Sequence, residues 1–167
     1  MPPCQLYLVR HAIAAERGED WPDDAKRPLT ERGIGRFKEG VAGLKDLDAT
    51  IDEIFTSPLV RAKQTAELLA AGIDGKPTVK LLDGLAPGHA PAAVMAQLAK
   101  AAKRRRIALV GHEPDLGELA AYLIGGRRPL PFRKGGMSRI DIAALASKPS
   151  GTLVWFVTPK VLRKLGS

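Results

Sequence analysis

Two short apolar runs that each end in a histidine constrain this chain more than any other feature. Leu6-Tyr7-Leu8-Val9 stops at Arg10-His11, and Ile107-Ala108-Leu109-Val110 stops at Gly111-His112. Unbroken apolar runs of this length read as strands buried on both faces, the condition of a parallel sheet covered by helices. Residues that follow such strands lie at their carboxyl ends, where ligands bind in an open α/β sheet. Two strands written alike therefore predict two imidazoles at one pole of one sheet.

The intervening chain fits that sheet. A polar loop from Glu16 to Pro28 carries Trp21 and the acids Asp20, Asp23 and Asp24; Thr30 then caps a helix with Ile34, Phe37, Val41 and Leu44 on one face. Ile51 to Thr56 predicts a second strand, and Ser57-Pro58 predicts a helix start, with serine as the cap, proline at the first helical position and an end near Ala71. Thr78 to Leu82 is a third strand, Asp83 to Pro91 a loop, and Ala92 to Lys103 a third helix. After Ile107 to Val110, Pro114 opens a helix that closes at Gly125-Gly126. This alternation predicts an α/β fold with three αβα layers, a mainly parallel sheet and helices on both faces. Met137 to Ala143 and Thr152 to Thr158, joined through residues 147–151, predict an antiparallel hairpin that closes one edge.

With 167 residues, 45% of them hydrophobic, the chain is expected to form one domain over 1–167. Cys4 is the single cysteine, which fits a reducing compartment, and neither a leader segment nor an apolar run of membrane-spanning length is written in the sequence. The expectation is a cytoplasmic protein without a membrane partner. Lys and Arg number 26 against 18 Asp and Glu, a net charge of +8 that attracts phosphate in some form. The densest run, Lys103-Arg104-Arg105-Arg106, follows an alanine-rich helix and reads as cations meeting its negative end. No aromatic residues are interleaved with it for base stacking, so nucleic acid is not expected as an obligatory partner.

Arg61 lies four residues past Ser57, and helical side chains lean toward the N-terminus, so Arg61 should reach back over the end of the second strand. There it joins Arg10, His11 and His112. Four basic groups in one pocket repel one another unless an anion comes between them, and a phosphoryl group matches the donor fork of arginine. Two guanidiniums and a second imidazole can position and neutralise such a group without a metal or another cofactor.

Three stretches, Leu8-Val9-Arg10-His11, Ser57-Pro58-Leu59-Val60-Arg61-Ala62-Lys63-Gln64-Thr65 and Val110-Gly111-His112, together resemble the histidine phosphatase superfamily. Arg27-Pro28-Leu29-Thr30-Glu31-Arg32-Gly33 and the small size resemble its phosphohistidine phosphatase, SixA-like branch, and the likeness runs in order from residue 6 to about 158. The resemblance implies a phosphoglycerate mutase-like fold. It implies His11 as a nucleophile that forms a phosphohistidine intermediate, with Arg10, Arg61 and His112 holding the phosphoryl group. Arg27 is a further candidate for substrate binding.

Two positions depart from the superfamily pattern. Ala12 stands where glycine commonly follows Arg-His, and Gly84 stands where an acid commonly protonates an alkoxide leaving group. The nearest candidate acid is Asp83, and His89 in the same loop has no matching motif position. Imidazole leaving from phosphohistidine needs less protonation than an alcohol, and the loop from Asp83 to Pro91 is too short for an enclosing lid. The expected substrate is therefore a phosphorylated, phosphohistidine-bearing protein. A small-molecule phosphomonoesterase or mutase is the alternative, and a non-catalytic module binding phosphate or nucleic acid a further one.

Overall fold

The computed structural model describes residues 2–145 and 150–167. Six strands form one sheet: β1 (Cys4–Arg10), β2 (Glu53–Thr56), β3 (Thr78–Leu81), β4 (Arg106–Gly111), β5 (Met137–Ile142) and β6 (Thr152–Val157). Their order across the sheet is β3-β2-β4-β1-β5-β6. Pairings within β3, β2, β4 and β1 are parallel, while β5 is antiparallel to β1 and β6 to β5. This is the mainly parallel sheet with an antiparallel edge. The β5–β6 hairpin forms as expected, although residues 147–149 of its predicted connection lie outside the described residues.

Helices α1 (Glu31–Ala42), α2 (Val60–Gly72), α3 (Pro91–Ala101), α4 (Asp115–Ile124) and α5 (Pro159–Leu165) cover both faces. Successive side chains of a strand point to opposite faces, so the apolar run of β1 feeds two cores at once. Leu6 and Leu8 join Ile107 and Leu109 of β4 against Val94, Leu98, Leu119 and Leu123 of α3 and α4. Tyr7 and Val9 join Ala108 and Val110 against Phe37, Val41, Ala66, Leu69 and Leu162 of α1, α2 and α5. The strand alternation thus makes the three layers. Among the described residues, no helix is long and apolar enough to cross a membrane.

Three local expectations are corrected. The helix after β2 begins at Val60 with Leu59 at its cap, two residues beyond the predicted start, and Ser57 instead sits at the pole of the sheet beside His112. Residues 83–85 of the predicted loop form a 3-10 turn, as do 24–26 and 43–47. Helix α5 was not anticipated, although Thr158 caps it by accepting the Val161 amide and Pro159 opens it.

The basic run at 103–106 serves the opposite pole from the two histidines. Helix α3 stops at Ala101, and the amides of Lys103 and Arg104 both donate to Glu53 Oε2 at 2.9 Å. Lys80 Nζ donates to Glu53 Oε1 at 3.1 Å, which satisfies a carboxylate that is otherwise fully buried. Arg105 donates to the carbonyls of Pro2 and Ala143, and Arg106 makes a bidentate pair with Asp52 at 2.9 Å for both bonds. The run ties the amino ends of the strands together rather than resting on the helix dipole.

Candidate active site

Register brings the two histidines together. Arg10 pairs with Gly111 across β1 and β4, so the next residue of each chain, His11 and His112, leaves the sheet at the same edge. Their rings lie 5.2 Å apart between centroids and are tilted by 54°. The Ser57 amide donates to the Val110 carbonyl at 3.1 Å, which carries the end of β2 to the same place. A polar cavity of about 340 Å³ opens here, lined by Arg10, His11, Arg27, Arg61 and His112, with Glu113 and Lys134 at its side and Glu16 and Arg17 at its mouth.

The middle motif positions this cavity one residue at a time. Thr65 Oγ1 accepts the Ala12 amide at 3.1 Å and donates to the Arg61 carbonyl at 2.8 Å, so one hydroxyl locks the turn after β1 to α2. Held in that turn, the Ala12 carbonyl faces His11 Nδ1 at 2.7 Å. A carbonyl oxygen only accepts, so His11 Nδ1 carries the proton and Nε2 keeps its lone pair. Gln64 Oε1 accepts the Leu29 amide at 2.7 Å and holds the approach to α1. Gly33 on α1 has no side chain because one would stand 2.2 Å from the Ile13 carbonyl oxygen, the backbone two residues past His11.

Arg61, buried in the core of the site, is oriented by the loop before α1: it donates to the Asp24 carbonyl at 2.8 Å and to Asp24 Oδ2 at 3.0 Å. Arg27 donates to Asp24 Oδ1 at 2.8 Å and to the Ala15 carbonyl at 2.6 Å. Asp24 is therefore the hub that sets both guanidiniums, and no periodic pattern marked it among the loop acids. Arg10 is set from another side, donating to the Phe132 carbonyl at 2.8 Å. His112 Nε2 lies 2.8 Å from Ser57 Oγ, which also accepts the Leu59 amide at 3.2 Å. Ser57, expected as a helix cap, is a partner of the second histidine.

Burial decides the charge state of both imidazoles. Desolvation, reinforced by Arg61, Arg10 and Lys134 against the opposing bond to Ala12, lowers the His11 pKa to about 4. Desolvation, then His11 and Arg61, lower His112 to about 3. Both rings are neutral near pH 7. Burial pushes the Asp24 carboxyl up, but hydrogen bonds from Arg27 and Arg61 outweigh it and leave the group below its ordinary value. Burial raises Glu113, whose Oε1 accepts the Gly117 amide at 2.7 Å in the first turns of α4.

Arg10 Nε, Arg61 Nε and His112 Nδ1 are buried and make no hydrogen bond within the protein. Buried donors are ordinarily paired, so three such nitrogens on residues of one cavity fit a guest with several acceptor oxygens. Asp83 does not line this cavity: it is exposed at the start of a 3-10 turn. His89 is half-buried in a shallow hollow on the other side of His112, where its Nδ1 lies 2.9 Å from the Ala86 carbonyl. Trp155 packs against Tyr7 with ring centroids 5.9 Å apart. Among the described residues, no three His, Cys, Asp or Glu side chains are grouped to hold a metal ion.

Known proteins share this arrangement of chain. The family model for the histidine phosphatase superfamily (branch 1) matches residues 6–87. An uncharacterized protein of a Picosynechococcus species is 39% identical over 164 residues, covering 95% of this chain and 98% of that one. The phosphohistidine phosphatase SixA of Escherichia coli is 27% identical over 157 residues, covering 93% and 94%. The structure of the protein histidine phosphatase SixA complexed with tungstate superposes with a TM-score of 0.78 at 25% identity, covering 95% of this chain and 99% of that one. Sequence and architecture agree over nearly the whole length of these relatives, and the chain belongs to the histidine phosphatase superfamily, within its SixA-like branch, and is a phosphatase.

Proposed function

We propose that the phosphatase acts on phosphohistidine in proteins through a covalent intermediate on His11. The carrying observation is the orientation of His11: Nδ1 is committed to the Ala12 carbonyl, which leaves Nε2 unprotonated beside Arg10, Arg61 and His112. In the first step the Nε2 lone pair attacks phosphorus, the substrate P–N bond breaks, and its electrons return to the departing imidazole, which takes up a proton from solvent. Water then attacks the phosphorus held on His11, releasing inorganic phosphate and restoring the neutral ring. Arg10 and Arg61, with Arg27 behind them, bind the phosphoryl oxygens, and His112 adds a ring donor where charge develops. The SixA structure with tungstate, another tetrahedral oxyanion, supports a site of this kind.

Phosphohistidine is favoured because the acids near the cavity are poorly placed to protonate a leaving group: Glu16 is exposed at its mouth. Asp83 lies outside it, and Glu113 is engaged with the Gly117 amide. Imidazole is a better leaving group than an alkoxide and tolerates that lack. Acid quenching should destroy a phosphoenzyme that base quenching preserves, and His11→Ala should form none. Phosphohistidine peptide should turn over far faster than phosphoserine peptide; equal rates would overturn the substrate class.

One observation favours a phosphomonoester instead. Glu113 lines the cavity, and burial holds its carboxyl toward the protonated form. If it protonates an alkoxide, Glu113→Gln will abolish sugar-phosphate hydrolysis and spare phosphohistidine. Unchanged hydrolysis of both would exclude Glu113 as an acid.

A further inference from the structure

A second cavity lies against the first. It has a volume of about 310 Å³, within the range of ligand-binding pockets, and is built by four segments: the turn after β1, one face of α1, residues 133–135, and the start of α5. Its floor is apolar, formed by Ile13, Phe37 and Pro159. Gly33, Gly40 and Gly135 lie along it and add no side chain that would fill it.

The rim is entirely cationic. Arg36, Arg133, Lys134, Lys160 and Arg163 surround the floor, and no acidic residue lines it. Among the described residues none of these five forms an ion pair. Cations such as Arg61, Lys80, Arg106 and Arg139 have carboxylate partners, whereas these five gather around one apolar hollow without one, which concentrates part of the basic surplus at a single place. Lys134 also lines the cavity around His11, and Ala12 of the floor region follows His11 directly. The two cavities therefore adjoin, close enough for chain flanking a phosphorylated side chain in the first to reach the second.

We infer that this second cavity docks an acidic segment of the phosphoprotein substrate, with one apolar side chain on the Phe37–Pro159 floor and neighbouring carboxylates on the cationic rim. Charge complementarity selects the occupant: five like charges around an apolar hollow attract Asp- or Glu-rich chain carrying a hydrophobic residue and repel basic chain. The inference rests on the proposed protein substrate, and it assigns specificity to residues that touch no reacting atom.

The test compares two phosphohistidine peptides of equal length, one with Glu, Asp and Leu around the phosphorylated residue and one with Gln and Lys. Wild-type enzyme should favour the acidic peptide by about tenfold in kcat/KM, through KM, and the preference should shrink as salt is raised. Arg36→Glu with Lys160→Glu, both exposed, should erase the preference while hydrolysis of free phosphoramidate stays within about twofold, since their charges are not in the reacting cavity. Fluorescence anisotropy with the acidic peptide lacking phosphate reads docking without turnover: binding to wild type and loss in the double variant support the inference. Equal turnover of the two peptides, a preference that survives the double variant, or absent binding of the unphosphorylated peptide would overturn it. If only phosphoserine versions are hydrolysed, the substrate class fails, and docking is judged by the same flank ratio on those peptides.

Discussion

His11 should make the stability of this protein depend on pH in a way that one substitution removes. Its ring is neutral and buried, with a pKa lowered from 6.5 to about 4 by desolvation and the neighbouring cations. At pH 7 the folded and unfolded forms both carry the neutral ring, so His11 contributes no pH dependence there. As pH falls below 6.5 the unfolded chain takes up a proton that the folded chain refuses until about 4. Stability is therefore lost across that window and levels off below it. At pH 4.5 the difference amounts to about 2–3 kcal/mol, worked from a shift of this size at about 1.4 kcal/mol for each pH unit.

His11→Asn removes the titrating group while keeping a polar side chain. Urea unfolding of both proteins at pH 7, 5.5 and 4.5 isolates the term, because every other group titrates in both. The wild type should lose about 2–3 kcal/mol more than the variant between pH 7 and 4.5. His11 is also among the causes that lower His112, so the substitution relieves part of that second penalty as well and widens the gap. Parallel loss of stability in the two proteins would refute a buried neutral His11, and with it the argument that Nε2 is free near neutral pH.

Three further substitutions separate positioning from structure. Thr65→Val leaves the buried Ala12 amide unpaired, at a cost of about 1–3 kcal/mol, and should lower kcat with KM little changed because Arg10 and Arg61 remain; an unaltered kcat would remove Thr65 from the positioning of His11. Glu53→Ala strands two amides and Lys80 at the far pole, and should cost about 2–3 kcal/mol in denaturant unfolding while leaving kcat intact; a kcat loss matching the stability loss would contradict the separation of the poles. In Gly117→Ala the new methyl would stand 2.3 Å from the Leu130 carbonyl oxygen, so the start of α4 must shift, at about 1–3 kcal/mol; an unchanged thermal midpoint would show that the helix yields freely.

Much of the molecule was legible before folding was considered. The buried runs of β1 and β4 announced themselves because both faces of each strand are covered, and parallel pairing then placed Arg10, His11 and His112 at one pole. Arg61 was legible through its place four residues past Ser57, even though the helix starts later than Ser57-Pro58 indicated. Helix α5 went unread because at Pro159–Leu165 it is too short to show a period, despite its Thr158 cap. The run at 103–106 was read locally, as charges on a helix end, when its partners are Glu53 and Asp52 at the start of another strand.

What the sequence alone determined is the set of elements and the pole at which the histidines emerge, because hydrophobic periodicity and covalent adjacency are local properties of the chain. Only the tertiary structure decided how the site is held. Arg61 meets Asp24 across 37 positions, Ser57 meets His112 across 55, and Ala12 meets Thr65 across 53. Polar partners so far apart leave no periodic trace, since each bond depends on two side chains made adjacent by packing that neither encodes. The cationic cavity beside the site has the same origin: its five charges come from three separated segments and become one surface only when α1 and α5 close over the turn after β1.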